Sequence, residues 1–303
     1  MKYGGLVLCF VLAVVYGKFT AGGTSYQLPE EITFQVYVAF DNVLHTHFSN
    51  AARATQYASV FFNAINLHFR EMRNPRIKFE VVMFHGQNYE FTKPALTLDH
   101  SQSQVDATAS LDSLYNFTRT RKHFEPSDIV FVFSGRKVYR VRTDGHWDYY
   151  PQGLTWDGGI CNASRKFIIV SDIGKQFSAL PNAGFQLSRL LGAPAACTPD
   201  SGKLEGNFVP FVLTDCAMDG IRKFLQNIVK DDPHRAKECF RRRYNVSISQ
   251  YFNGLPSSMV DEDALCKSSE KFAKDYGRRG RCEVLRMLLT RTFSYSSVSD
   301  DVQ

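Results

Sequence analysis

The chain has 303 residues, 44% of them apolar and 22% charged, which supplies a sizeable core and one large domain with an appendage. That balance excludes a chain disordered throughout and leaves only the Ser/Asp-rich end, residues 294–303, without core-forming material. The formal net charge is +6, and its excess lies in the C-terminal part, in the triplet Arg241, Arg242, Arg243 and the cluster Arg278, Arg279, Arg281.

Met1 and Lys2, the apolar run 6–15 and the small Gly17 read as a signal peptide over residues 1–17, too short to span a bilayer. No second apolar segment follows, so a secreted chain without a membrane anchor is expected. Residues 32–41 alternate as a strand does. Tyr57, Val60, Phe61, Ala64, Leu67 and His68 recur at helical spacing over residues 57–72, and Pro75 closes that helix before a second strand at 77–84. Residues 128–135 form an apolar strand ending at Gly135. Segments 153–161 and 167–172 then lead to a helix carrying Phe185, Leu187, Leu190 and Leu191, a stripe that suits any buried helix.

Once Cys9 leaves with the signal, six cysteines remain, an even number suited to three disulfides in an oxidising compartment, with fifteen pairings open. No C-x-x-C pair suggests a zinc cluster. Asn116, Asn162 and Asn245 begin glycosylation sequons, meaningful on the secretory route. His45 and His47 are expected on one strand face with no third metal ligand, His68 sits on the apolar stripe, and the other histidines are scattered. With every mature Cys open to disulfide pairing and no G-x-S-x-G elbow, Cys and Ser catalysis find no support.

Residues 185–195 match the spacing of the zinc-protease frame H-E-x-x-H-x-x-G-x-x-H, yet only its Gly survives, as Gly192. Phe185, Arg189 and Ala195 stand at the three ligand places, and Gln186 stands where a Glu would take a proton from metal-bound water. Together with the ordered strands and helices before it, and with residues 214–225 after it, this segment resembles the reprolysin (adamalysin) family of metzincin proteases, most of all the secreted salivary reprolysins of ticks. The resemblance implies an α/β (α+β) fold, a twisted mixed sheet packed on long helices over residues 27–244, followed by a small disulfide-clipped tail at 245–293. It implies Cys161–Cys239 and Cys197–Cys216 bonds, leaving Cys266 and Cys282 to each other. It puts Val209, in a shortened turn at 206–210, where the family has a Met beneath the zinc. The tail resembles the start of a disintegrin-like or Cys-rich module, with too few cysteines to complete it. The stretch between Gly17 and Gln27 leaves no room for the latency segment of active reprolysins.

The expectation is therefore a secreted, catalytically inactive reprolysin-like protein with no zinc cofactor. Its partner would be an extracellular or host protein of plasma or matrix, or a heparin-like glycan, and not nucleic acid. The resemblance offers a peptide cleft along the edge strand, with Gly153, Leu154, Thr155 and Trp156 above Phe185 and Arg189. Clustered guanidinium groups at Arg241, Arg242, Arg243, Arg278, Arg279 and Arg281 offer a polyanion site, since Arg binds sulfate bidentately. The alternatives are a secreted metalloendopeptidase using a noncanonical zinc site and a structural decoy without one specific ligand.

Overall fold

A computed structural model describes residues 26–85, 95–142, 144–148, 152–174, 177–197 and 213–244, with 247, 248, 252, 254, 255 and 259. The expected signal peptide, Val209 and its turn, Asn245, Cys266, Cys282, Arg278, Arg279, Arg281 and the stretch 294–303 lie outside the described residues.

β1 (Glu31–Phe40) alternates only over its first residues and is continuously buried from Phe34 onward. That is the pattern of a strand covered on both faces, and β1 is indeed internal. It pairs in parallel with β2 (Arg76–His85) on one side and β4 (Ile129–Ser134) on the other. β8 (Phe167–Ser171) extends the sheet in parallel, and β7 (Gly153–Thr155) closes it as an antiparallel edge, in the order β2-β1-β4-β8-β7.

Between β1 and β2 runs α2 (Ala51–Phe69), preceded by the single turn α1 (Asn42–His45). α2 starts at Ala51 rather than at Tyr57, because the Asn50 side chain accepts from the Arg53 N–H at 2.9 Å and caps the helix there. Its first turn is mostly exposed and so carries no apolar stripe to read. The expected strand face bearing His45 and His47 is corrected: His45 ends α1, which Asp41 caps through the Leu44 N–H at 2.7 Å.

The remaining helices are α3 (Ala107–Thr118), α4 (Leu180–Leu190), α5 (Asp215–Asp231) and α6 (Pro233–Cys239). α2, α4 and α5 share the larger core with Phe34, Phe131, Phe133 and Ile168. On the opposite sheet face α3 buries Leu111 and Leu114 against Tyr37, Val130, Val132 and Ile169. Beside α3 lies a smaller sheet of β3 (Gln104–Asp106), β5 (Lys137–Val141) and β6 (Trp147–Asp148). The architecture is thus α/β, a mixed sheet covered on both faces.

Two disulfides fasten the C-terminal helices. Cys161–Cys239 joins the loop after β7 to the end of α6, and Cys197–Cys216 joins the segment after α4 to the start of α5. Packing does not stop at 244, the boundary expected from sequence. The Asn63 amide donates to the Phe252 and Gly254 carbonyls at 2.8 and 2.9 Å, and Ile248 and Met259 lie against the larger core. Among the described residues, no helix is long and apolar enough to cross a membrane.

Candidate functional site

α4 carries the degenerate motif, and a buried carboxylate sets its approach. Asp172, just past β8, is fully enclosed and accepts from the Tyr57 hydroxyl at 3.0 Å, the Gly174 N–H at 2.8 Å and the Ser178 hydroxyl at 3.2 Å. Tyr57 in turn accepts from the Phe177 N–H at 2.8 Å and stacks on the Phe177 ring, centroids 4.2 Å apart. The segment entering α4 is thereby fixed to α2. Burial raises the Asp172 carboxyl to about 6, against the hydrogen bonds it accepts.

Gly192 ends the helix for a reason that needs no metal. The Gly192 N–H donates to Arg189 O at 2.9 Å and the Ala193 N–H to Ser188 O at 2.9 Å, the two bonds of a Schellman termination with glycine at φ +90°. A Cβ there would lie 2.3 Å from Cγ of Phe224 on α5. The same ring sits under Gly158, where a Cβ would lie 2.8 Å from it. Helix termination and the Phe224 contact account for the one residue of the frame that survives.

The residues at the other frame positions are occupied with one another's surroundings. Arg189 donates through Nε to Asp157 Oδ1 at 2.8 Å, through Nη2 to Asp157 Oδ2, and through Nη1 to Ala193 O at 3.1 Å. Its side chain is 14% exposed, so the cation expected on the cleft floor is instead a partly buried clamp between α4, its exit turn and the loop after β7. Backbone bonds reinforce that clamp, from Gly158 N–H to Arg189 O at 2.9 Å and from Ile160 N–H to Leu190 O at 3.2 Å. Phe185 packs half-buried on the larger core, and Ala195 is exposed.

The edge strand is partly closed as well. Ser171 N–H donates to Gln152 O and Leu154 lies opposite Ile169, so by antiparallel alternation the backbone groups of Gly153 and Thr155 face away from β8. The outward Gly153 carbonyl accepts from Gln186 Nε2 at 3.0 Å. Gln186 is 3% exposed, and this bond gives its buried amide nitrogen a partner. The expected cleft residues also divide across the sheet. Leu154 and Trp156 pack on the α3 side, with Arg165 over the Trp156 ring at 5.7 Å, whereas Phe185 belongs to the opposite core.

The Arg triplet fans outward rather than forming one face. Arg242 bonds Glu80 at 2.7 Å, Arg243 bonds Asp128 at 3.3 Å, and exposed Arg241 lies 3.8 Å from Glu238. Arg243 and Tyr244 also donate their backbone N–H groups to Gln35 Oε1 at 2.7 and 3.0 Å. Burial raises the Asp128 carboxyl to about 7, although the Gln35 N–H and Arg243 favour its ionised form. Nearby Lys166 is lowered to about 8, again chiefly by burial.

Of the sequons, Asn116 is exposed on α3, while the half-buried Asn162 accepts from the Ser164 N–H and hydroxyl at 3.0 and 2.8 Å. The sequence reading missed Asp157 and Asp128. An Arg inside a metal-helix frame was itself a signal to seek a nearby carboxylate, and Asp157 lies beside the Gly158-Gly159 pair.

No curated protein matches this chain in sequence. Among solved structures, the crystal structure of metalloproteinase-II from Bacteroides fragilis is similar at 14% identity and a TM-score of 0.37, covering 68% of this chain. The match spans 59% of that protein's chain, less than two thirds of its length. Residues 55–183 match the family model Reprolysin_3, described as Metallo-peptidase family M12B Reprolysin-like, a match that ends just before Phe185. Over residues 55–183 this chain is thus similar to the reprolysin-like members of metallopeptidase family M12B.

Proposed function

We propose that the chain is a secreted, catalytically inactive reprolysin-like protein that acts by binding an extracellular protein or glycan. The observation that carries this reading is the engagement of Arg189 with Asp157 and Ala193, at a position where the family frame requires a metal ligand. Zinc does not fit the frame residues, since Phe185 and Ala195 offer no donor atom and a guanidinium repels a dication. Gln186 has no proton to exchange at neutral pH, and its amide is bonded to Gly153. Secretion is supported by the N-terminal apolar run and by the two disulfides.

Elemental analysis of the purified full chain is expected to find no stoichiometric zinc, and incubation with casein and fibrinogen to give no cleavage. One tightly held zinc per chain, or cleavage abolished by a chelator, would overturn the inactive reading. For the binding half, immobilised protein is expected to retain a defined plasma or matrix component, identified by mass spectrometry, that a heat-denatured control does not.

A further inference from the structure

We infer that the Cys197–Cys216 disulfide is a thiol–disulfide exchange site, open in the folded chain to a dithiol protein reductant, whereas Cys161–Cys239 is a closed structural bond. The two bonds differ in access. Cys216 is exposed, and half-buried Cys197 follows the exposed residues Pro194, Ala195 and Ala196. Cys239, by contrast, is 6% exposed and belongs to the larger core, with Cys161 packed against it. Exchange requires a thiolate to reach a disulfide sulfur, so access decides which bond reacts first, and exposed bonds are the labile ones.

Helix position points the same way. The Thr214 hydroxyl caps α5 by accepting from the Ala217 N–H at 3.2 Å, which makes Cys216 the second residue of a 17-residue helix. The N–H groups of that turn have no helical partner and stabilise a thiolate held beside them. The Asp215 carboxylate in the same turn is exposed, so solvent screens its opposing charge. Cys216 is therefore the leaving sulfur and Cys197 the one attacked. Cys239 is the last residue of α6, where the unpaired backbone groups are carbonyls and an anion is disfavoured.

Opening the bond leaves its surroundings packed. The exit turn of α4 lies on α5 through Pro194 against Gly220, where a Cβ would lie 2.2 Å from Pro194 Cδ, and through Gly192 against Phe224. The Thr214 hydroxyl also donates to Cys197 O at 3.0 Å, and Ala193, Ala217 and Ile221 share the larger core. None of these contacts needs the S–S bond, so reduction here does not require unfolding. In the first step a reductant thiolate attacks Cys197 Sγ, a mixed disulfide forms as the S–S bond breaks, and Cys216 leaves as a thiolate that takes a proton from water. The reductant's second thiolate then attacks its own sulfur in the mixed disulfide and releases Cys197, which is protonated in turn. The chain ends with two thiols and the reductant with one disulfide.

The exchange site goes beyond the proposed binding role and holds whether or not the chain captures a partner. The test incubates the native full chain with reduced thioredoxin, alkylates the new thiols with iodoacetamide and locates them by peptide mass spectrometry. Cys197 and Cys216 are expected to be labelled together, at least about tenfold faster than Cys161 and Cys239, while thermal unfolding of the product stays cooperative. Thioredoxin lacking its resolving cysteine is expected to be trapped on Cys197, with Cys216 alkylated. Opening of Cys161–Cys239 at an equal or higher rate, labelling of Cys197 and Cys216 only in denaturant that unfolds the chain, or trapping on Cys216 would overturn the inference.

Discussion

Gln186 donates its amide N–H to the carbonyl oxygen of Gly153 at 3.0 Å and so ties α4 to the outermost strand. Arg189 does the same toward Asp157 and Ala193. In the zinc frame a metal would hold the helix to its exit turn; here side-chain hydrogen bonds hold it.

Replacing Gln186 by Glu alone should therefore harm the protein. A carboxylate facing the Gly153 carbonyl sets acceptor against acceptor in a buried place, and the expected loss at pH 7.5 is about 2 kcal/mol or more. At pH 4.5 a protonated Glu regains a donor, so the deficit should shrink. Thermal unfolding of Gln186→Glu at both pH values checks this, and wild-type stability at pH 7.5 would contradict it.

The Arg189–Asp157 clamp should show in a double-mutant cycle. Asp157 is 62% exposed, so solvent screens much of the attraction, and the coupling in Arg189→Leu with Asp157→Asn is expected at about 1 kcal/mol. Stripping divalent metals with EDTA should leave the unfolding temperature unchanged, because this link contains no metal. A fall of several degrees with EDTA would show a metal contribution to the fold.

The elements that periodicity reveals were legible in the sequence. β1 and β2 begin with apolar and polar residues in alternation, β4 and β8 are short apolar runs, and the apolar spacing of α2 and α4 stands out even without their first turns. What stayed hidden depends on contacts between distant positions. Arg189 and Asp157 are separated by 32 residues and Gln186 and Gly153 by 33, so neither bond leaves a periodic trace. The Arg241–Arg243 triplet read as one cationic run, yet each guanidinium meets a different carboxylate, because the chain folds back over Gln35 at that point. Helix α3 and the β5–β6 hairpin went unread, and α3 shows why: exposed Asp112 and Asn116 interrupt a short apolar pattern whose buried side becomes plain only against the sheet.

Gly192→Ala tests whether that glycine is kept for packing. The substitution forces a side chain to φ +90° and drives a Cβ into the Phe224 ring. The strained backbone costs about 1–2 kcal/mol, and overpacking adds about 1–3 kcal/mol. Adding Phe224→Ala should make the second Gly192→Ala penalty smaller than in the wild-type background, since the steric share is gone. Equal penalties in the two backgrounds would remove Phe224 from the explanation.

The buried charges predict a stability profile with a minimum near neutrality. Asp172 and Asp128 titrate at about 6 and about 7 in the fold, above the ordinary carboxylate value, because burial opposes their ionisation. A carboxyl whose folded value is raised contributes fully below its unfolded value and loses that contribution as pH rises through the folded one, so stability should fall from about pH 4 to pH 7. Lys166 titrates at about 8 in the fold, below its ordinary 10.5. The folded state therefore binds its proton less readily than the unfolded state, and stability should recover as pH rises from about 8 toward 10. Unfolding temperatures between pH 4 and pH 10 should trace a shallow trough at about pH 7–8. Asp172→Asn should flatten the acid limb whatever its effect on absolute stability, because it removes the titrating group while one oxygen still accepts from Gly174. Lys166→Met should flatten the alkaline limb. An acid limb of unchanged slope in Asp172→Asn would mean that the Asp172 carboxyl is already ionised across that range, with the Tyr57 hydroxyl and the Gly174 N–H outweighing the cost of burying its charge.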